Sequence, residues 1–377
     1  MRRAWWLVLA LASRPAHASP WTWSLEAGGE ADTNIERVET DAASNVQPIS
    51  ALVMRTGARV DYHDRLLGGT LGLATAGSTR VVTNDRVETS PEDIGLIAAD
   101  ARWVHPLGER PVGLGVALQA ADAFALDADI GDRTFRNLGA DALVVMRASD
   151  TRRLTLALGG RQFVYKPARV YDYAAPSASL RLDLVLWATA DGTRTLELAS
   201  TLGFEARAFD STAAIDTCPP GVANVNCSGA SSFLRRDSFQ RADIAVTYSG
   251  ARVASLGYQL VVIDSNSYGQ SLVRHRITAS GTTPLAPKLY LSAIATLQID
   301  QYPDGLLIAT DSQHTEFSNL EDENRSAVQV RVGRYLSETW TFELRGALWR
   351  DLSIGTGAMS GTQFHRELLY AGLVYNH

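Results

Sequence analysis

The chain has 377 residues, a formal net charge of −6 and 20% charged residues. That acidic balance argues against nucleic-acid binders, which present a basic surface to phosphate. After Ser19 no run of about 18 apolar residues occurs, which excludes an α-helical membrane span.

At the N-terminus Arg2 and Arg3 precede the apolar run Ala4 to Ala12, and Ala16-His17-Ala18 forms a small-x-small cleavage site. Residues 1–18 therefore read as a secretory signal, removed to leave 19–377 as one domain. Losing Arg2, Arg3 and Arg14 takes the net charge from −6 to −9. Lys166 and Lys288 are the only lysines among 35 basic residues, a bias that a GC-rich genome explains as well as recognition does.

From Trp23 to Tyr375 segments alternate apolar and polar with a period of two, the signature of strands. Leu52, Met54, Thr56, Ala58, Val60 and Tyr62 share one face, while Val53, Arg55, Gly57, Arg59 and Asp61 share the other. His63-Asp64-Arg65 is expected to turn this strand into Leu67, Gly69, Leu71 and Leu73. Further tight turns are expected at Pro106-Leu107-Gly108, Ser149-Asp150-Thr151, Asp191-Gly192, Ser249-Gly250, Pro284 to Pro287 and Ser337-Glu338. Between these hairpins lie long polar gaps: 32–48, 78–92, 123–133, 165–176, 210–235, 264–270, 302–323 and 353–362. About eight long gaps alternate with about seven short ones. The expectation is an all-β fold, an antiparallel up-and-down transmembrane β-barrel of about 16 strands with short periplasmic turns and long external loops.

The polar face supports a wet interior. It carries Arg55, Arg59, Asp61, Asp100, Arg102, Arg181, Asp183, Arg241, Asp243, Arg274, Arg276, Arg331, Glu343 and Arg345, too many charges for a dry core. These are the candidate lumen-lining residues, with the Leu/Val/Ala face toward lipid. Closing the sheet removes edges that lipid could not satisfy. A secreted sandwich with its charges in bulk water is the alternative. Trp23, Tyr62, Trp103, Trp187, Tyr248, Tyr290, Trp340 and Tyr375 fall near short-turn ends or the termini, where a periplasmic-side aromatic girdle belongs. Location in the cell outer membrane follows, with both termini periplasmic. Cys218 and Cys227 share one long gap, and in an exported protein such a pair is expected to form a disulfide.

Tyr370-Ala371-Gly372-Leu373-Val374-Tyr375-Asn376-His377 resembles the C-terminal targeting strand of Gram-negative outer-membrane barrel proteins, through Gly372 and an aromatic, Tyr375, three positions on. This resemblance implies insertion by the barrel-assembly machinery, with Gly372 and Tyr375 as the signal; His377 departs from the usual terminal aromatic. Glu30 to Ile35 is similar to the first strands of several barrel families. In size and layout the mature chain is loosely similar to predicted barrels of exopolysaccharide secretion systems, a likeness of architecture that guides function poorly.

Chemistry is thinly represented. His63, His105, His275, His314, His365 and His377 lie in no nucleophile motif, and no phosphate loop, dinucleotide fingerprint or zinc spacing occurs. No cofactor, metal or enzymatic activity is expected, although His314 or His365 could meet Glu316 or Glu367 in external loops. Glu321-Asp322-Glu323 reads as a solvated loop rather than a cation site. The function expected is a conduit, most concretely for a secreted polysaccharide, with Arg55, Arg59, Arg274 and Arg276 touching an acidic polymer. The alternatives are a general porin for small solutes and a lipid- or peptide-cleaving barrel enzyme. Expected partners are outer-membrane lipids, lipopolysaccharide and periplasmic polysaccharide-export proteins.

Overall fold

The computed structural model describes residues 20–35, 47–83, 92–126, 134–167, 169–217, 228–303, 325–350 and 364–377. The signal segment 1–18, Cys218, Cys227, His314 and the 321–323 acidic run lie outside them.

Sixteen strands form one closed antiparallel barrel. In chain order they are β1 (Trp21–Asp32), β2 (Ala51–Leu66), β3 (Gly69–Val82), β4 (Ile94–Pro106), β5 (Val112–Ala125), β6 (Phe135–Ser149), β7 (Arg152–Tyr165) and β8 (Tyr173–Ala188), followed by β9 (Thr195–Asp216), β10 (Ser228–Ser249), β11 (Val253–Ser265), β12 (Leu272–Ala286), β13 (Leu289–Gln301), β14 (Ser326–Tyr335), β15 (Trp340–Arg350) and β16 (His365–Asn376). Each pairs with its sequence neighbours. The circle closes where β1 meets β16, with Ser24 opposite Asn376 and Asp32 opposite Leu368.

Period-two sequence becomes two-sided wall because successive side chains point to opposite faces of a strand. On β2, Leu52 and Met54 are 60% exposed while Val53 and Arg55, which alternate with them, are buried. In a wall one strand thick, only the enclosed side can cover a side chain completely. Arg80 and Arg366 are fully buried, so the charged face is the inner one. The outer face is apolar, with Leu118, Leu158, Leu202, Leu256 and Leu369 all exposed.

Three local expectations need correction. The β2–β3 hairpin turns at Leu67-Gly68, not at His63-Asp64-Arg65, which stay in β2. Both turn residues have positive φ, 51° and 72°, as a two-residue hairpin turn matched to strand twist requires. Second, much of the 210–235 gap is paired, because β9 and β10 are 22 residues each and run past the rim. Ser231 Oγ donates to the Ala213 carbonyl, and Ala214 N–H donates to Ser267 Oγ, holding this extension beside the β11–β12 loop. Asp216 pairs with Ser228, so the two strands leading to Cys218 and Cys227 are adjacent there.

Third, Tyr290 is not in the girdle. It lies on the inner face, where its hydroxyl donates to Glu343 Oε1 at 2.6 Å. The others named hold outward positions at the short-turn end. Tyr375 packs between Trp23, tilted to it, and Trp340, edge-on, with centroids 5.0 Å away on each side, and Trp21 packs on Tyr62 at 4.4 Å.

Candidate functional site

The inner wall is the candidate site. Its recurring unit is an arginine and a carboxylate two residues apart on one strand. That spacing puts both side chains on one face about 7 Å apart at their Cα atoms, within reach of a long guanidinium. Among the described residues six such pairs are made: Arg59–Asp61 (2.6 Å), Arg181–Asp183 (2.6 Å), Glu205–Arg207 (3.0 Å), Arg235–Asp237 (2.5 Å), Arg241–Asp243 (2.5 Å) and Glu343–Arg345 (2.7 Å).

Cross-strand contacts link these units. Arg153 joins Arg181 on Asp183 at 3.0 Å, and Arg161 grips Asp141 at 2.8 Å. Arg274 makes a two-pronged pair with Asp300, Nε at 2.8 Å and Nη2 at 2.9 Å. Arg331 approaches Glu343 at 3.6 Å. Asp100 and Arg102 share the inner face of β4, and Arg276 sits between Gln259 and Gln298. The structure thus brings all fourteen sequence-named positions onto one face. Several of these guanidiniums are in water: the side chains of Arg153, Arg241 and Arg331 are 45%, 37% and 33% exposed.

Sequence reasoning missed the densest cluster, at the β1–β16 seam. Arg366 of β16 binds Asp32 of β1 at 2.6 Å, and Arg80 of β3 bridges Glu30 (2.6 Å) and Asp32 (2.9 Å). All four side chains are essentially fully buried. Toward the short-turn end, Arg345 reaches Glu26 at 2.8 Å and Arg55 approaches both Glu26 (3.7 Å) and Glu30 (3.6 Å). Tyr370 lies between Arg55 and Arg345, its ring seated over Gly28 and Gly372 where any side chain would collide. Gly372 therefore has a packing reason in the folded wall, whatever part it has in targeting. The readable signal was the even-numbered series Glu26, Glu30, Asp32, which continues the strand to the residue where the long gap was placed.

Across the barrel, the long-loop half of the wall is aromatic. Phe135 stacks on Phe163 (5.8 Å), Phe163 on Tyr173 (5.5 Å), and Tyr173 packs against Phe209 (5.2 Å). Arg207 is sandwiched between Tyr173 and Phe239, at 4.8 and 3.9 Å from their ring centres. Ile94, Leu96, Ala121 and Ala123 back this row, and a 3-10 turn at Arg169–Tyr171 sets Tyr171 against Tyr165. One side of the upper lumen is thus apolar and the facing side ionic.

On the outer face, His365 Nε2 lies 3.0 Å from Glu367 Oε1 at the long-loop rim, both side chains well exposed. Also outward at this rim, Arg136 and Lys166 share Asp122. Among the described residues no cluster of three or more potential metal ligands occurs.

No protein-family model matches the chain, and no curated protein matches it. Among solved structures it is similar to Pseudomonas aeruginosa OccK11 (OpdR), with TM-score 0.43 and 10% identity over 95% of this chain and 96% of that one. It is similar also to the outer-membrane expressed OmpT of Vibrio cholerae (TM-score 0.42, 10% identity, 96% and 99% covered) and to Acinetobacter baumannii OccAB1 (0.44, 9%, 94% and 96%). These are likenesses of outline at low identity and carry no functional weight.

Proposed function

We propose that this protein is an integral outer-membrane channel through which small hydrophilic solutes pass passively, with the short turns and both termini on the periplasmic side. The observation that carries this reading is a closed wall, apolar outside and lined inside by water-accessible, mutually paired charges. A 16-strand barrel is wide enough to leave an aqueous path. Arg136 and Lys166 then lie at the level of the anionic headgroups of the outer leaflet, and β16 is the strand offered to the assembly machinery.

The pairing also favours one of two conduits. An exporter of acidic polysaccharide would need Arg55, Arg59, Arg274 and Arg276 as attractive sites. Arg59 and Arg274 are held by carboxylates at 2.6 and 2.8 Å, and Arg55 is flanked by two. Their field is largely cancelled, which suits weakly selective diffusion better than attraction of a polyanion. Purified protein in planar bilayers is expected to give stepwise ohmic conductance, rising with salt, and a reversal potential near zero across a salt gradient. Absence of steps, together with loss of extracellular polysaccharide in a deletion strain, would return the choice to export.

A further inference from the structure

Apart from the open lumen, the short-turn rim contains a cavity of about 510 Å³ between the β10–β11, β12–β13 and β14–β15 turns. Its size falls within the ~300–1,000 Å³ of small-molecule sites, which favour the mouths of barrels. Thr282 and Tyr290 reach it from the inner face, so it opens beside the short-turn mouth of the lumen.

The cavity is built rather than incidental. The Tyr290 ring lies flat over Gly333, where a side chain would collide, and its hydroxyl is pinned to Glu343 at 2.6 Å. Tyr335 packs on Tyr290 with centroids 5.4 Å apart, and its backbone N–H donates to the Lys288 carbonyl at 2.8 Å. Pro284 and Pro287 stiffen the turn that carries Lys288. Two tyrosine rings are thus fixed in place before any ligand arrives.

The charge in the cavity is one-sided. Lys288 is its single charged lining residue; among the described residues it makes no ion pair, and no carboxylate lines the walls. Every inner-wall guanidinium described above has a carboxylate beside it or another interaction, whereas Lys288, exposed on its turn, lines an apolar, tyrosine-rich hollow without one. A cation with no carboxylate beside it keeps its attraction for an anion uncancelled.

We propose that this cavity is a binding site for a sugar acid, resting on the reading of the barrel as a solute channel. The carboxylate would lie on the Lys288 ammonium and the apolar C–H face of the pyranose on the Tyr335 ring. The Thr282 hydroxyl and the backbone at Gly250 and Ala251 offer partners to the sugar hydroxyls. A hydrophobic acid would fit the rings but not the polar lumen that leads there; a sugar acid fits both.

Isothermal titration of the full chain in detergent with trigalacturonate, against uncharged galactotriose, tests the site without requiring any current. Saturable binding of the acid is expected, weakening with added salt, and no measurable binding of the neutral trimer. Lys288→Asn is the informative variant, because Lys288 has φ 68° and asparagine tolerates that conformation. It should weaken trigalacturonate about tenfold, the worth of one charge-assisted hydrogen bond. Tyr335→Ala should weaken it similarly by removing the stacking face. Equal binding of the neutral sugar, no binding of the acid, or affinity unmoved by both substitutions would overturn the proposal. Conductance lacking while binding persists would remove the channel reading and leave the site standing.

Discussion

Single residues at the short-turn end show how local backbone chemistry sets the barrel's closed edge. Leu67 is 81% exposed and holds φ 51°, a conformation that costs an L-residue with a Cβ roughly 1–2 kcal/mol. Nothing in its packing offsets that cost, since the side chain points into solvent. Leu67→Asn is therefore expected to stabilise the barrel by about 0.5–1 kcal/mol, because asparagine enters this region far more readily. A higher urea midpoint for unfolding from micelles, at unchanged slope, would confirm it; a lower one would show that Leu67 makes an apolar contact in lipid that the turn geometry does not reveal. The β8–β9 turn uses a different device. Hydrogen bonds to Asp191 from the Thr189 hydroxyl and from the Thr193 N–H and hydroxyl pull its carboxyl down to about 2, so it remains an ionised acceptor through neutral and mildly acid pH. These turns were placed in the sequence only to within a few residues. A charged triplet such as His63-Asp64-Arg65 looks like a turn, yet the twist of the strands selects the following Leu67-Gly68 pair.

At the level of the strand, alternation assigns each residue a solvent. Leu182 of β8 and Leu291 of β13 face outward, while Arg181 and Asp183 face the lumen. Leu182→Arg should cost roughly 2–4 kcal/mol near the bilayer midplane, and Leu291→Arg, two residues in from the short-turn end of β13, should cost less. Asp183→Asn should cost about 1 kcal/mol or less, since Arg153 and Arg181 can both remain hydrated in the lumen. Unfolding in lipid vesicles measures both; comparable losses on the two faces would reverse the inside–outside assignment. The sequence made this much legible because a period of two survives from β1 to β16 and needs no long-range information. Which charges meet was only half legible. The same-strand pairs, such as Arg241-Ala242-Asp243, are visible as soon as i and i+2 are read together. Arg274 with Asp300 or Arg80 with Glu30 depends on cross-strand register, which tertiary closure fixes. Tyr290 was misplaced for a different reason: its nearness to a turn drew it into the girdle, although plain alternation along β13 sets it on the face of Gln298 and Asp300, opposite to Leu291.

For the whole molecule, closure at the seam is the step most distant in sequence. Every other strand pair joins neighbours, whereas β1 and β16 bring Ser24–Asp32 against Leu368–Asn376. Closing the longest loop carries the largest entropy cost, and long-range pairing is slow to form. The seam is also where buried charge is concentrated, with Asp32 taking hydrogen bonds from Arg366 and an ion pair from Arg80 while Arg345 reaches across to Glu26. Buried ion pairs add little net stability against apolar packing, but they fix register, and removing one partner costs about 3–5 kcal/mol. Their placement at the one pairing that no hairpin can align suggests a register lock for the final step. Asp300, buried with Arg274 between the adjacent strands β12 and β13, provides the matched control. Asp32→Asn and Asp300→Asn should both lower equilibrium stability by similar amounts. During folding into vesicles, only Asp32→Asn should delay the compact, heat-modifiable gel band while strand circular dichroism rises at the normal rate. Equal kinetics for the two variants would mean that the seam charges stabilise the finished wall without guiding its closure.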